Sequence, residues 1–333
     1  MKINIAKLSQ LFFLLLFLLL FINTEYRGKD EISLAINSFF RTNPLVAISY
    51  FIANWAIPFI FLPSLLLIFA TLFLGRFFCG WICPLGTIID IIGVKIKKTF
   101  KIKKINPKFK YFLIIVILTL TFFSINITGL FDPIAILVRF LTFSIYPIIG
   151  YSATKSWALL YTIIGEKRDV VEPAFIFFKN YFLPFRTSFY PLAFFSFLLF
   201  GFIIFLEKYE RRSWCKNICP LGTLLGILGT FSIFKRLPVR LCDDCKECNK
   251  ICPTAFDSEI LNQNNCIMCM NCKLECKNKR VHFKPLIKNA KTIDFDIDRR
   301  LIFSGLISGL FVSKIFNYNN DITKTRILRP PGV

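Results

Sequence analysis

Long apolar runs alternate along this chain with short segments that are strongly basic or rich in cysteine. The first run, Leu8 to Ile22, follows Lys2 and Lys7, and no small-residue cleavage pattern lies in Asn23-Thr24-Glu25-Tyr26-Arg27. It predicts an uncleaved membrane-spanning helix rather than a removed leader. A second apolar region, within Pro44 to Gly75, is longer than the roughly twenty residues a bilayer crossing needs. Pro58 and Pro63 interrupt it, which predicts a tilted or kinked span. Third and fourth spans are predicted from Tyr111 to Ile127 and from Phe189 to Leu206. The stretch between them is apolar but carries Arg139, Lys155, Glu166, Lys167, Arg168, Asp169 and Glu172, with Pro133, Pro147 and Pro173. Interfacial helices that do not cross are expected there, with a two-span hairpin as the alternative. The last run, Leu301 to Phe316, follows Arg299-Arg300 and contains Lys314; it is marginal for spanning and reads equally as a helix lying on the membrane.

Composition agrees with burial in lipid: 55% of residues are hydrophobic and 41 are Phe. The expected fold is an α-helical integral membrane protein with about four transmembrane helices in two related halves. The net charge of +22 comes from 42 Lys and Arg against 20 acids. In a membrane protein this reads as positive-inside loops touching anionic lipid, and no nucleic-acid motif is present. Residues 95–110, KIKKTFKIKKINPKFK, hold eight lysines and no acid, which places that loop in the cytoplasm. A second basic stretch with Lys208, Arg211, Arg212 and Lys216 follows the fourth span on the same side. The inner, cytoplasmic membrane of a cell is the expected location.

Twelve cysteines carry the candidate chemistry. Eight fall in two runs, Cys242-x2-Cys245-x2-Cys248-x3-Cys252-Pro253 and Cys266-x2-Cys269-x2-Cys272-x3-Cys276. This is the spacing of a bacterial-type two-cluster ferredoxin, in which the fourth thiolate of each [4Fe–4S] cluster comes from the other run. Cys242, Cys245, Cys248 and Cys276 are therefore expected around one cluster, and Cys266, Cys269, Cys272 and Cys252 around the other. Structural zinc also uses CxxC pairs but stops at two, and a disulfide scaffold does not suit a chain of this length. Cys276 is followed by Lys277, not proline, which alters the chain exit without removing a ligand. The single histidine, His282, leaves no histidine pair for haem or copper in this chain and reads as an ordinary loop residue.

The other four cysteines lie in an internal repeat. Residues 76–93 and 212–229 are identical at ten of eighteen positions, aligning Arg76, Cys79, Cys83-Pro84-Leu85-Gly86 and Gly93 with Arg212, Cys215, Cys219-Pro220-Leu221-Gly222 and Gly229. In each copy the proline suits a first helical position, so the second cysteine, Cys83 or Cys219, sits at a helix N-terminus beside an arginine, a setting that favours thiolate. Cys79, Cys83, Cys215 and Cys219 are candidates for a further metal centre, a redox-active disulfide or a docking point; otherwise they frame a membrane-exit turn.

The domain organisation that follows is residues 1–44, an N-terminal transmembrane helix and outer loop; 45–110, a first membrane half with CxxxCP motif and basic loop; and 111–240, a second half with an outer interfacial segment and the second motif. Residues 241–285 form a small α+β ferredoxin domain on the cytoplasmic side, and 286–333 a linker, a transmembrane or interfacial helix, and a tail. With both CxxxCP motifs, the double cysteine run and Gly129-Leu130-Phe131-Asp132-Pro133, the chain resembles the NapH/NosR-type membrane polyferredoxins from about Leu45 to Arg280. The resemblance implies a membrane-anchored iron–sulfur protein relaying electrons between the quinone pool or a cytoplasmic donor and a redox partner, such as a separate ferredoxin or cytochrome subunit. The flavin-binding and immunoglobulin-like domains of some relatives are not in this sequence. Its ending resembles a linker that leads into another ferredoxin segment in longer relatives, so a companion ferredoxin polypeptide or a truncated gene is expected. No acid, base or nucleophile constellation suggests further catalysis. The alternatives are a copper-type metal reductase using the CxxxCP thiolates, which suit Cu(I), and a membrane redox sensor or scaffold.

Overall fold

A computed structural model of the chain describes residues 5–24, 36–56, 58–95, 108–164, 190, 192–236, 251–254, 265–276, 281–285 and 298–323. In chain order the helices are α1 (Ile5–Asn23), α2 (Asn37–Arg41), α3 (Pro44–Asn54), α4 (Leu62–Leu74), α5 (Phe78–Trp81), α6 (Pro84–Lys95), α7 (Phe109–Phe122) and α8 (Thr128–Phe131). They continue with α9 (Pro133–Phe140), α10 (Tyr146–Ile164), α11 (Leu192–Leu206), α12 (Ser213–Asn217), α13 (Pro220–Thr230), α14 (Asn271–Leu274) and α15 (Arg299–Thr323). Two strands, β1 (Phe234–Arg236) and β2 (Phe283–Pro285), pair antiparallel with Arg236 opposite Phe283.

The chain divides into two compact units. The first comprises Met1–Phe40, Phe78–Lys101 and Pro133–Arg212; the second comprises Arg41–Phe77, Ile102–Asp132 and Ser213–Val333. Both boundaries inside the sequence repeat fall within a residue of the shared arginine, so each arginine belongs to a different unit from the cysteines of its own copy.

In the first unit α1 packs on α5 and α6, and α9 packs on α6 and α11. Phe17, Phe78, Leu85, Ile89, Ile134, Ile136 and Leu137 are almost fully buried, and Phe140 stacks on Phe200 at 3.9 Å. The polar residues of α1 have a defined task. Gln10 Nε2 donates to the Gly80 carbonyl at 2.8 Å and to Asp90 Oδ2 at 3.1 Å, and Ser9 Oγ donates to the Trp81 carbonyl at 3.2 Å. Helix α5 is a single turn whose last carbonyls have no helical partner, so side chains must supply one wherever water does not reach.

In the second unit α3, α4, α7 and α13 pack together around Leu45, Leu67, Ile117, Leu120 and Leu225. Asn43 caps α3, accepting from Leu45 N–H at 3.0 Å, while its amide donates to Asp132 Oδ1 at 2.5 Å. Both residues are fully buried, so the Gly129–Pro133 motif is tied to the start of α3 through a charge-assisted hydrogen bond. Helix α15 lies along α7. Gly305 and Gly309 are the contact points: an added Cβ would come within 2.8 Å of Ile115 Cγ2 and 2.7 Å of Thr119 Cβ. Rising numbers match on both helices, and Lys108 Nζ meets Asp298 Oδ2 at 2.7 Å before both begin, so α7 and α15 run parallel.

The expected elements are largely present, with two differences. The region from Pro44 to Gly75 is not one kinked span but two separate helices, α3 and α4, which pack on each other. Trp55 adopts a left-handed conformation (φ 55°) that ends α3. The segment after Gly129, expected as interfacial pieces, instead contains one continuous helical run through α9, a π-turn at Leu141–Ile145 and α10. Among the described residues, this run (Pro133–Thr162) and α1 are long and apolar enough to cross a membrane. Residues 165–189 lie outside the described ones.

Candidate iron–sulfur site

The four cysteines expected around the second cluster surround one cavity. Cys252, from the first run, lines it together with Cys266, Cys269 and Cys272. Cys276, expected at the other cluster, is half-buried and is not among the lining residues. Its three intended companions, Cys242, Cys245 and Cys248, lie outside the described residues.

The loop Cys266-Ile267-Met268-Cys269-Met270-Asn271-Cys272 has an unusual backbone. Met268 and Met270 both occupy the left-handed region, at φ 53° and 58°. Left-handed residues alternating with ordinary ones turn successive N–H groups toward one side and create a concavity that suits anionic groups, sulfur clusters included. The Met268 N–H reaches the Cys266 sulfur. Burial pushes the Cys266 thiol up, opposed by that hydrogen bond. Ile267 and Thr254 are buried beside the cysteines, and Arg236 and Phe283 from the two-stranded ribbon complete the wall. Among the described residues no three His, Cys, Asp or Glu side chains converge to hold a single metal ion. The cysteines surround a space rather than meet at a point. Four thiols around a shared cavity, one of them met by a backbone N–H, fit a multi-iron cluster.

The loop rests on the end of α4. Gly75 has φ +73°, and a Cβ there would lie 3.7 Å from Met268 Cγ and 3.4 Å from Ser232 Oγ. Nearby, Lys110 is almost fully buried and donates to Asn265 Oδ1 at 2.9 Å.

The CxxxCP motifs repeat in three dimensions as they do in sequence. In each, the second cysteine's N–H donates to a carbonyl five residues back at 2.9 Å: Cys83 to Phe78, and Cys219 to Trp214. Helices α6 and α13 begin at Pro84 and Pro220, as expected. Cys219 Sγ caps α13, accepting from the Gly222 N–H at 3.3 Å. All four cysteines are buried, with Cys79 and Cys83 in the first unit and Cys215 and Cys219 in the second.

The arginines do something the alignment does not show. Arg212, from the second copy, serves the first motif: it donates to the Cys79 carbonyl at 2.7 Å and forks onto Asp90 at 2.8 and 2.6 Å. Arg76, from the first copy, serves the second motif, donating to the Cys215 carbonyl at 2.5 Å. Each copy therefore lends its arginine to the other. The expectation that each arginine would stand beside its own cysteines is replaced by this exchange. It arises because the chain changes unit within a residue of the arginine.

Comparison with known proteins places these features. A family described as a 4Fe-4S binding domain matches residues 56–103 and 190–238, the two segments that hold the CxxxCP motifs. Uncharacterized protein MJ0749 of Methanocaldococcus jannaschii is 28% identical, over 65% of this chain and 68% of its own length. The putative electron transport protein YccM of Escherichia coli is 24% identical over 70% of this chain and 58% of its own length. The ferredoxin-type protein NapH of Haemophilus influenzae is 22% identical over 66% of each chain. The chain is thus similar to NapH/NosR-type ferredoxin-like proteins. No solved structure matches it.

Several residues of these sites escape motif reading. Gln10, Asp90, Lys110 and Arg236 lie outside any cysteine motif. The available signal is an isolated polar residue in an apolar run: Gln10 in α1 and Asp90 in α6 both stand alone among aliphatics. Arg236 carries no such signal, because its neighbours Phe234 and Lys235 read as an ordinary basic loop. Sequence reading also left the CxxxCP segments as one candidate among several, whereas they are the part of the chain to which the 4Fe-4S description attaches.

Proposed function

We propose that the chain is a multi-pass membrane protein of the cytoplasmic membrane that relays single electrons through two [4Fe–4S] clusters, between the quinone pool or a cytoplasmic donor and a partner oxidoreductase. Cys242, Cys245, Cys248 and Cys276 hold one cluster; Cys266, Cys269, Cys272 and Cys252 hold the other. The observation that carries this reading is Cys252 lining the same cavity as the three cysteines of the next run, the cross-run arrangement that two-cluster spacing demands. A mononuclear zinc would draw its sulfurs to within about 4 Å of one another, given Zn–S bonds of ~2.3 Å. Cysteines spread around a cavity suit a cluster instead.

A bound cluster supplies storage of one electron without bond making or breaking. The protein's part is to hold and to shield. The buried Ile267 lends the wall an apolar surface, and the Met268 N–H on the Cys266 sulfur favours the negative charge carried by ligated sulfur. The names of the relatives, an electron transport protein and a ferredoxin-type protein, support the relay role.

Membrane placement rests on the outward faces of the helices. Phe12, Leu15 and Leu19 on α1, Phe194, Phe197 and Phe202 on α11, and Phe303, Ile307 and Phe311 on α15 are all exposed. Faces this apolar on several helices need hydrocarbon as their solvent. The lysine-rich loop at 95–110 and the ferredoxin segment lie on the cytoplasmic side.

Anaerobic purification in detergent should yield about eight iron and eight sulfide per chain from these two clusters. Bound zinc without sulfide would end this reading. A second reading is favoured by the family match at residues 56–103 and 190–238: the CxxxCP cysteines hold a further metal centre. Iron clearly above that value, lost on Cys83→Ser or Cys219→Ser, is its signature; iron unchanged in both variants leaves these cysteines as a frame.

A further inference from the structure

We propose that Arg236 sets the reduction potential of the cluster held by Cys252, Cys266, Cys269 and Cys272, acting as a fixed cation in the cavity wall. The inference rests on the ligand assignment above and adds a residue that no motif contains.

Arg236 is only 5% exposed and lines the same cavity as the four cysteines. Its position is held by structure on both sides. It ends β1, which pairs with β2 so that Arg236 stands opposite Phe283, a second lining residue. The ribbon is pinned to the helices where Ile233 N–H donates to the Leu72 carbonyl at 3.0 Å and Lys235 Nζ donates to the Thr230 carbonyl at 2.8 Å. A guanidinium so placed stays charged at any working pH.

The consequence is electrostatic. Four thiolate ligands leave a [4Fe–4S] centre negatively charged overall, and reduction adds one more negative charge. In a wall containing Ile267 and Phe283, where water is scarce, a nearby fixed cation favours the reduced form more than the oxidised one. The potential rises. The field of Arg236 reaches Cys266, as does that of Arg76, whose guanidinium is tied to the Cys215 carbonyl. The cluster whose reduced form Arg236 favours is the one beside Gly75.

The test is a redox titration of the purified full chain, followed by EPR under anaerobic conditions, on wild type and on Arg236→Gln, Arg236→Met and Arg236→Lys. Iron and sulfide are measured on each sample. In the uncharged variants one midpoint potential should fall, so that the reduced-to-oxidised ratio at the wild-type midpoint drops about tenfold, equivalent to 59 mV for a one-electron couple. The other midpoint should stay in place, and Arg236→Lys should keep most of the wild-type value. Unchanged midpoints in an uncharged variant that retains its iron would overturn the proposal. So would an equal fall in Arg236→Lys, which would make packing rather than charge the cause. A wild-type protein lacking iron and sulfide would instead sink the cluster assignment beneath it, an outcome that the metal analysis separates from the other two.

Discussion

At the scale of single residues, the CxxxCP motifs are governed by two buried arginines and by the glycines that make room for them. Gly222 is the tightest position. An added Cβ would collide with the Arg76 guanidinium and lie 2.9 Å from the Cys215 carbonyl, whereas at Gly86 the closest atom is the Cys79 carbonyl at 3.1 Å and Arg212 is 3.5 Å away. Gly222→Ala should cost about 1–3 kcal/mol through overpacking, more than Gly86→Ala, by thermal denaturation in detergent. Gly201, which has nothing within 4 Å, should accept alanine with no loss. Arg212 is 1% exposed, while Asp90 is 31% exposed at its side chain, so the two partners are not equivalent. Arg212→Met leaves the Cys79 and Gly86 carbonyls without their donor, while Asp90 keeps its bond from Gln10, and should cost about 2–4 kcal/mol. Asp90→Asn leaves Arg212 bonded to the Cys79 carbonyl and should cost about 1 kcal/mol. Equal losses in the two variants would show that the carboxylate, not the carbonyl capping, is what Arg212 is there to meet.

At the scale of elements, the parallel pairing of α7 and α15 decides which way the C-terminal helix points. Gly305 and Gly309 form a small-xxx-small stripe, a packing device of membrane helices that lack a hydrophobic drive to associate. On the proposed topology α7 leads outward from the lysine-rich loop, and a parallel α15 that crossed with it would end on the face opposite the ferredoxin segment. An alkaline phosphatase reporter fused after Val333 should be active outside the cytoplasm, while the same reporter after Asp298 should be inactive. Activity at both points or at neither would exclude a crossing α15. Gly309→Leu should free the helix from Thr119 and raise its sensitivity to external protease. Sequence alone left this run divided between spanning and surface-lying, since sixteen apolar residues suit both. The helix extends to 25 residues because polar residues on either side of the apolar run continue it.

At the scale of the whole molecule, two kinds of exchange along the chain organise the site. The repeat copies trade arginines, and on the proposed ligand assignment the two cysteine runs trade their fourth ligands. The second exchange gives a clear expectation for iron content. Cys252→Ser should remove the same EPR signal as Cys269→Ser and leave the signal that Cys245→Ser removes, with iron falling to about half. If Cys252→Ser instead matches Cys245→Ser, each run ligates its own cluster. Cys79→Ser and Cys215→Ser probe the framework separately, one in each unit, and should leave both ferredoxin signals intact.

What the sequence determined by itself was local. Apolar runs predicted α1, α7 and α11, proline predicted the first residue of α6 and α13, and the interval between cysteines predicted a cluster loop, because each depends on neighbours within a few residues. That Cys252 lines one cavity with Cys266, Cys269 and Cys272 was legible too, since iron–sulfur chemistry requires a ligand from outside the tight loop. Tertiary structure alone decided the rest. The break at Trp55, the assignment of Arg76 and Arg212 to each other's motifs, the clasp of Gln10 on Gly80 and Asp90, and the placing of Arg236 in the cavity wall all join residues distant in sequence. A spacing rule sees only the local covalent chain, whereas a buried charge or donor is settled by whichever unsatisfied partner the fold brings within reach.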